Sequence, residues 1–123
     1  MATQTEKVLY LRGILIDRAC LGHTITYDEV RRIMRLCDAQ IGTLLGLVRQ
    51  GLQPGEPDLC AGVIKSLGKP GWGWGNSITW GVEVQALWAY WHDRTTMDNA
   101  AFEAKYHSLP TYPGENIKTL IVP

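Results

Sequence analysis

ITYDEVRRIMRLCDAQIGTLLGLVRQ, residues 25–50, holds two helical patterns with almost nothing between them. Thr26 followed three positions later by Glu29 is a capping-box pattern: a hydroxyl that accepts from a backbone N–H, and a carboxylate that can return the bond. It predicts a short helix over 27–36. Asp38 is a second N-cap residue type. Ile41, Leu44, Leu45 and Val48 then recur on one face of a helix running to about residue 50. Two helices joined by so tight a connection predict a helix-turn-helix, with the helix over 38–50 in the recognition position.

Upstream, Val8, Leu11, Leu15 and Ala19 follow at spacings of about one turn, so residues 5–21 read as a helix with one buried face, ended by Gly22 and His23. Downstream, GLQPGEPD over 51–58 is a loop by its glycine and proline content. Residues 59–66 read as a strand around Val63-Ile64, and 67–71 turn the chain back, which together predict a β-wing. Trp80, Val84, Leu87, Trp88 and Trp91 form a broad stripe on a helix over 79–93. A further helix is expected over 97–108, a break at 109–114, and a late strand over 117–122. The expected fold class is α+β, mainly helical: a winged helix-turn-helix with a short β-wing and extra C-terminal helices. One domain is expected over 1–123, with a winged-helix core at about 5–75 and a C-terminal helical extension at about 77–123.

A chain that is 46% hydrophobic and 20% charged has enough apolar surface to bury, which excludes disorder. Its formal net charge is zero, so no global field calls for nucleic acid, although a local basic patch is compatible with that balance. No apolar run is long enough for a membrane span. MATQTEK lacks the basic-then-apolar order of a signal peptide, so none is expected. Cys20, Cys37 and Cys60 are widely spaced and odd in number, which predicts reduced thiols and a cytoplasmic protein. His23, His92 and His107 stand singly, without HxxxH or Cys-His spacing, so neither a metal nor a cofactor is expected. Ser66, Ser77 and Ser108 lack a nucleophile-elbow setting.

Three segments carry a resemblance. Ile25-Thr26-Tyr27-Asp28-Glu29-Val30 resembles the "TYGELA"-type segment of the alkylguanine-DNA alkyltransferases and alkyltransferase-like proteins. Ile41-Gly42 falls where that family has "RAVG", and Cys60-Ala61-Gly62-Val63-Ile64 falls where it has "PCHRVI". The likeness spans roughly residues 8–71. Pro57 to Ile64 with Gly68-Lys69-Pro70-Gly71-Trp72-Gly73 is more similar still to uncharacterised bacterial winged-helix proteins with a GxPGxG turn. The resemblance implies a winged-helix fold and a DNA-facing role for Tyr27. It departs from the alkyltransferases where activity resides: Ala39 stands in place of the intercalating arginine, and Ala61 and Gly62 replace the His and Arg after the cysteine. Without a neighbouring base or positive field the thiol is not activated, so no enzyme is expected.

On these grounds the leading expectation is a non-catalytic winged-helix protein that binds duplex DNA or regulates. Tyr27, Arg31, Arg32, Gln40, Thr43, Lys65 and Lys69 would reach phosphates or base edges. Asp28, Glu29 and Asp38 interleave with those arginines, so a solvated mixed-charge face is the plainer reading of the same residues. The alternative is a protein-interaction module, a small adaptor or a phage-type inhibitor of a host defence complex, anchored by Trp72, Trp74 and Tyr112. A third reading is an alkyltransferase-like sensor of damaged bases. Trp72 and Trp74 alternate with glycine, so an extended backbone puts both on one side. Base stacking, a partner anchor and an internal lid all remain open for them.

Overall fold

Thr3 starts the first helix, α1 (Gln4–Cys20). Its hydroxyl accepts from the Glu6 N–H at 3.1 Å, and the Glu6 carboxylate accepts from the Thr3 N–H at 3.4 Å, a reciprocal capping box. At the other end Gly22 sits at φ +70°. Its N–H bonds to the Ala19 carbonyl, and the His23 N–H bonds to the Arg18 carbonyl. This is a Schellman stop, which needs the left-handed conformation glycine supplies without strain.

The computed structural model describes residues 3–66, 69–70, 77–92, 94 and 97–106. Among them α1 is followed by β1 (Ile25–Thr26), α2 (Tyr27–Met34) and α3 (Asp38–Gln50). A 3-10 helix (Leu59–Gly62), β2 (Val63–Ser66), β3 (Lys69–Pro70), α4 (Ser77–His92) and α5 (Asn99–Tyr106) complete the order. The fold is mainly helical with one small sheet. Its strand order is β1-β2-β3: β1 runs parallel to β2, with Ile25 opposite Val63, and β3 pairs antiparallel with β2, with Lys69 opposite Ser66. The expected late strand over 117–122 lies outside the described residues. None of the described helices is long and apolar enough to cross a membrane.

Two expectations change. Residues 59–66 are not one strand. Asp58 Oδ1 accepts from the Cys60 N–H at 3.0 Å, and the Asp58 carbonyl accepts from the Ala61 N–H at 3.1 Å. These bonds wind 59–62 into a 3-10 helix before the chain extends. The wound segment is buried, and a Cβ at Gly62 would lie 3.2 Å from Leu87 Cδ2, so glycine lets α4 approach closely.

The second change concerns α1, which buries two stripes rather than one. Leu11, Leu15 and Ala19 are buried as expected, and so are Tyr10, Ile14 and Asp17. α3, α4, α5 and the 3-10 helix all pack on it. Leu87, Phe102 and Tyr106 from the C-terminal helices join one buried cluster with residues of α1, α2 and α3.

Asp17 is a buried carboxylate within this core. Lys105 Nζ lies 2.9 Å from its Oδ2, and the Tyr106 hydroxyl donates to the same oxygen. Burial, and after it the Asp17 charge, push the Tyr106 phenol well above its ordinary range, which keeps it a donor. Because that folded-state value is raised, the contribution is complete below the unfolded phenol value of about 10 and is lost as pH rises beyond it. Stability measured by urea unfolding should therefore fall above about pH 10, and Tyr106→Phe should flatten that fall. Asp17→Ala, which strands the buried phenol, should cost about 1–3 kcal/mol. Asp28→Ala on the exposed side of α2 should cost no more than about 1 kcal/mol.

Candidate functional site

α2 ends where Arg35 turns into the left-handed region at φ 56°, its N–H closing on the Arg31 carbonyl at 2.7 Å. Leu36 tucks partly against the core. Cys37, not Asp38, is the N-cap of α3: its extended backbone N–H donates to Gln40 Oε1 at 3.2 Å. Asp38 instead occupies the first turn, where its carboxylate meets Arg31. α3 then buries Ile41, Leu44, Leu45 and Val48, as the spacing predicts. Its opposite side is open to solvent at Gln40, Gly42, Thr43 and Gly46.

The placement of the predicted contact residues is uneven. Tyr27 opens α2 and packs half-buried against the core. Arg31 Nη2 lies 2.9 Å from Asp28 Oδ1, and its Nε lies 3.2 Å from Asp38 Oδ1. Arg32 Nε lies 3.3 Å from Asp28 Oδ2. The two arginines therefore spread along α2 under the charge of two aspartates. Gln40 caps its own helix, and the Thr43 hydroxyl donates to the Ala39 carbonyl at 3.1 Å. Lys65 is exposed on β2. Lys69 belongs to β3, with its side chain outside the description, and Trp72, Trp74 and Tyr112 lie outside the described residues altogether.

Gln40 and Thr43 share a groove of about 300 Å³ with Gln4 and Lys7 from the first turns of α1, together with Leu36, Ala39 and Leu44. Nothing in the local sequence marks Gln4 or Lys7. They are polar residues at the start of a capped helix, brought here only because α1 packs along α3. A second, wider cavity of about 840 Å³ opens between the end of α1, α4 and the start of α5, with His23, His92 and Trp88 on its walls. No group of three metal-binding side chains comes together among the described residues.

The tryptophans of α4 act structurally. Trp88 and Trp91 pack on the core. Trp80 Nε1 donates to the Ala61 carbonyl at 2.8 Å, and Trp88 Nε1 donates to the His23 carbonyl at 3.3 Å. Trp80 and Trp88 thereby each satisfy the one polar atom of the ring.

Cys60, the counterpart of the alkyltransferase cysteine in the resemblance, lies within the core. Its Sγ–H donates to the Leu45 carbonyl at 3.3 Å. Burial first, then the Asp58 carboxylate, push its pKa up to about 12, against a smaller opposing pull from Arg49. A thiol so placed stays protonated at neutral pH, and the protonated form is a poor nucleophile. All three cysteines are unpaired by disulfides; Cys20 is also buried and Cys37 is exposed.

No family model matches the chain, and no curated protein or solved structure is significantly similar to it.

In the native protein one thiol should therefore react rapidly with a maleimide, with intact mass rising by a single adduct, and Cys37→Ala should abolish that fast adduct. Cys20 and Cys60 should become reactive only on unfolding. A rapid adduct on Cys60 in folded protein would contradict its burial.

Proposed function

We propose that this protein is a non-catalytic binding module that presents the open face of α3 to duplex DNA. The observation that carries the reading is the pair Gly42 and Gly46. Both sit inside α3, and a Cβ added at either would meet nothing within 4 Å. Glycine in a helix interior costs roughly 1 kcal/mol relative to alanine, and here neither a tight turn nor close packing within the described residues offsets that cost. A bare helix face suits close approach by something outside the chain, and a duplex groove is one such surface.

The local order supports the same reading. A helix, a short strand, a second helix, a left-handed turn at Arg35, a third helix and the 3-10 helix precede an antiparallel β2–β3 pair. That order supports a winged helix-turn-helix reading, with β1 joined to β2 in parallel. The protonated, core-facing Cys60 thiol supports binding rather than alkyl transfer.

A protein partner is the second reading, and one observation favours it. The arginines of α2 are compensated by Asp28 and Asp38, while the α3 face between Ala39 and Gly46 carries no charge. An uncharged, small-residue face suits a neighbouring helix as well as a groove.

Fluorescence anisotropy with short duplexes at low salt distinguishes the two. The DNA reading expects saturable binding that weakens steeply with added salt. Folded protein at micromolar concentration that leaves the duplex tumbling freely would sink it and leave the protein-partner reading. Gly42→Ala and Gly46→Ala should each raise stability by up to roughly 1 kcal/mol while weakening the interaction. Loss of binding alongside a raised unfolding midpoint separates an interface role from damage to the fold.

A further inference from the structure

The charges around α3 do not divide as the sequence implies. Among the described residues Arg12, Arg18, Arg31, Arg32, Arg49 and Lys105 each lie within salt-bridge distance of a carboxylate. Arg94 lies over the Tyr90 ring and donates to the Tyr90 carbonyl. Lys7, Arg35 and Lys65 have no carboxylate partner among the described residues.

One of these three lines the α3 groove and a second precedes a groove residue in the chain. Lys7 lines the groove beside Gln40 and Thr43. Arg35 is exposed at the turn that feeds α3, one residue before Leu36, which also lines the groove. No carboxylate belongs to the groove wall. The nearest acids in sequence are engaged elsewhere: Glu6 turns back onto Thr3, and Asp38 holds Arg31. Gln40 uses its carbonyl oxygen to cap α3, so its amide N–H donors remain available. Gln4 and Thr43 supply further polar groups.

We propose that Lys7 and Arg35, rather than Arg31 and Arg32, are the phosphate-binding cations of this surface, and that the groove between α1 and α3 seats a phosphodiester backbone. The proposal rests on the DNA reading of α3 and names the contacts that position it. Arg31 and Arg32 keep free guanidinium N–H donors, but Asp28 and Asp38 beside them offset their charge and repel a polyanion. Lys7 and Arg35 have no such carboxylate partner among the described residues. A lysine is suited to this as a compact charge, and an arginine as a planar fork that bridges two phosphate oxygens.

The test is anisotropy of a labelled duplex over a salt series, with wild type, Lys7→Gln, Arg35→Gly and Arg31→Gln. Glycine adopts the φ of position 35 without strain, so Arg35→Gly removes the cation while keeping the turn, and urea midpoints verify that all variants are folded. Lys7→Gln and Arg35→Gly should each weaken low-salt binding several-fold and reduce the slope of log affinity against log salt by about 1. Arg31→Gln should change the slope less than either. If Arg31→Gln flattens the slope while Lys7→Gln and Arg35→Gly keep the wild-type slope, the assignment is overturned and the DNA reading stands. If wild type itself shows no salt-dependent binding, both fall together.

Discussion

Helix α1 carries ionisable groups at positions 12, 17 and 18 and is nonetheless surrounded by other elements, so each of those charges must be answered from close by. Burying an unanswered charge would cost several kcal/mol. Arg12 forms a two-pronged contact with Glu56, at 2.6 and 3.0 Å, which draws the 51–58 loop onto the helix. Glu56 in turn accepts from the Gln53 N–H, closing the loop on itself. Arg18 pairs with Glu29 of α2 and lies 4.3 Å above the centre of the Phe102 ring of α5. Asp17 takes Lys105 and Tyr106. Three neighbours of one helix are thus oriented by polar contacts as well as by packing. The direction in which α2 leaves β1, and hence where α3 lies, depends on the Arg18–Glu29 contact and on the core beneath it.

Against that anchored side, the outer side of α3 stands apart. It makes no ion pair between Ala39 and Gly46, and it carries two glycines that weaken the helix they sit in. Local rules and global fold agree at the Thr3 capping box and at the Asp98 cap, where Oδ1 accepts from the Ala101 N–H at 2.7 Å, while Gly81 in α4 is a single open glycine, compared with the pair in α3. A lapse of local preference amid such agreement is where a function that opposes stability is expected.

The sequence shows local chemistry well and tertiary chemistry poorly. Gly22 ends α1 and Thr26 starts α2 because caps are set by neighbours three residues apart. The α3 core positions follow from spacing alone. Three features escape such reading. Glu29 looks like the returning half of a capping box, but its carboxylate reaches Arg18, eleven residues back. Tyr10, Ile14 and Asp17 look like scattered residues until α5 arrives to cover them. Lys7 gains meaning only from the packing of α1 on α3. The candidate site was half legible for the same reason: Gln40 and Thr43 follow from the recognition position, whereas the compensation of Arg31 and Arg32 depends on how far Asp28 and Asp38 reach in space.

The position of α1 also governs when the protein can become a protein. The hydroxyl that completes the Asp17 site belongs to a residue 89 positions further along the chain. At synthesis rates of roughly 5–20 residues per second, that separation is on the order of 4–18 s. Through that interval the second apolar stripe of residues 4–20 is uncovered and the Asp17 carboxylate is met by water. Contacts so distant in sequence also slow folding once the chain is complete, because the loop must close before any of them forms. The growing chain therefore carries that apolar stripe uncovered until α5 is made, and exposed apolar surface of this kind promotes association between unfolded chains.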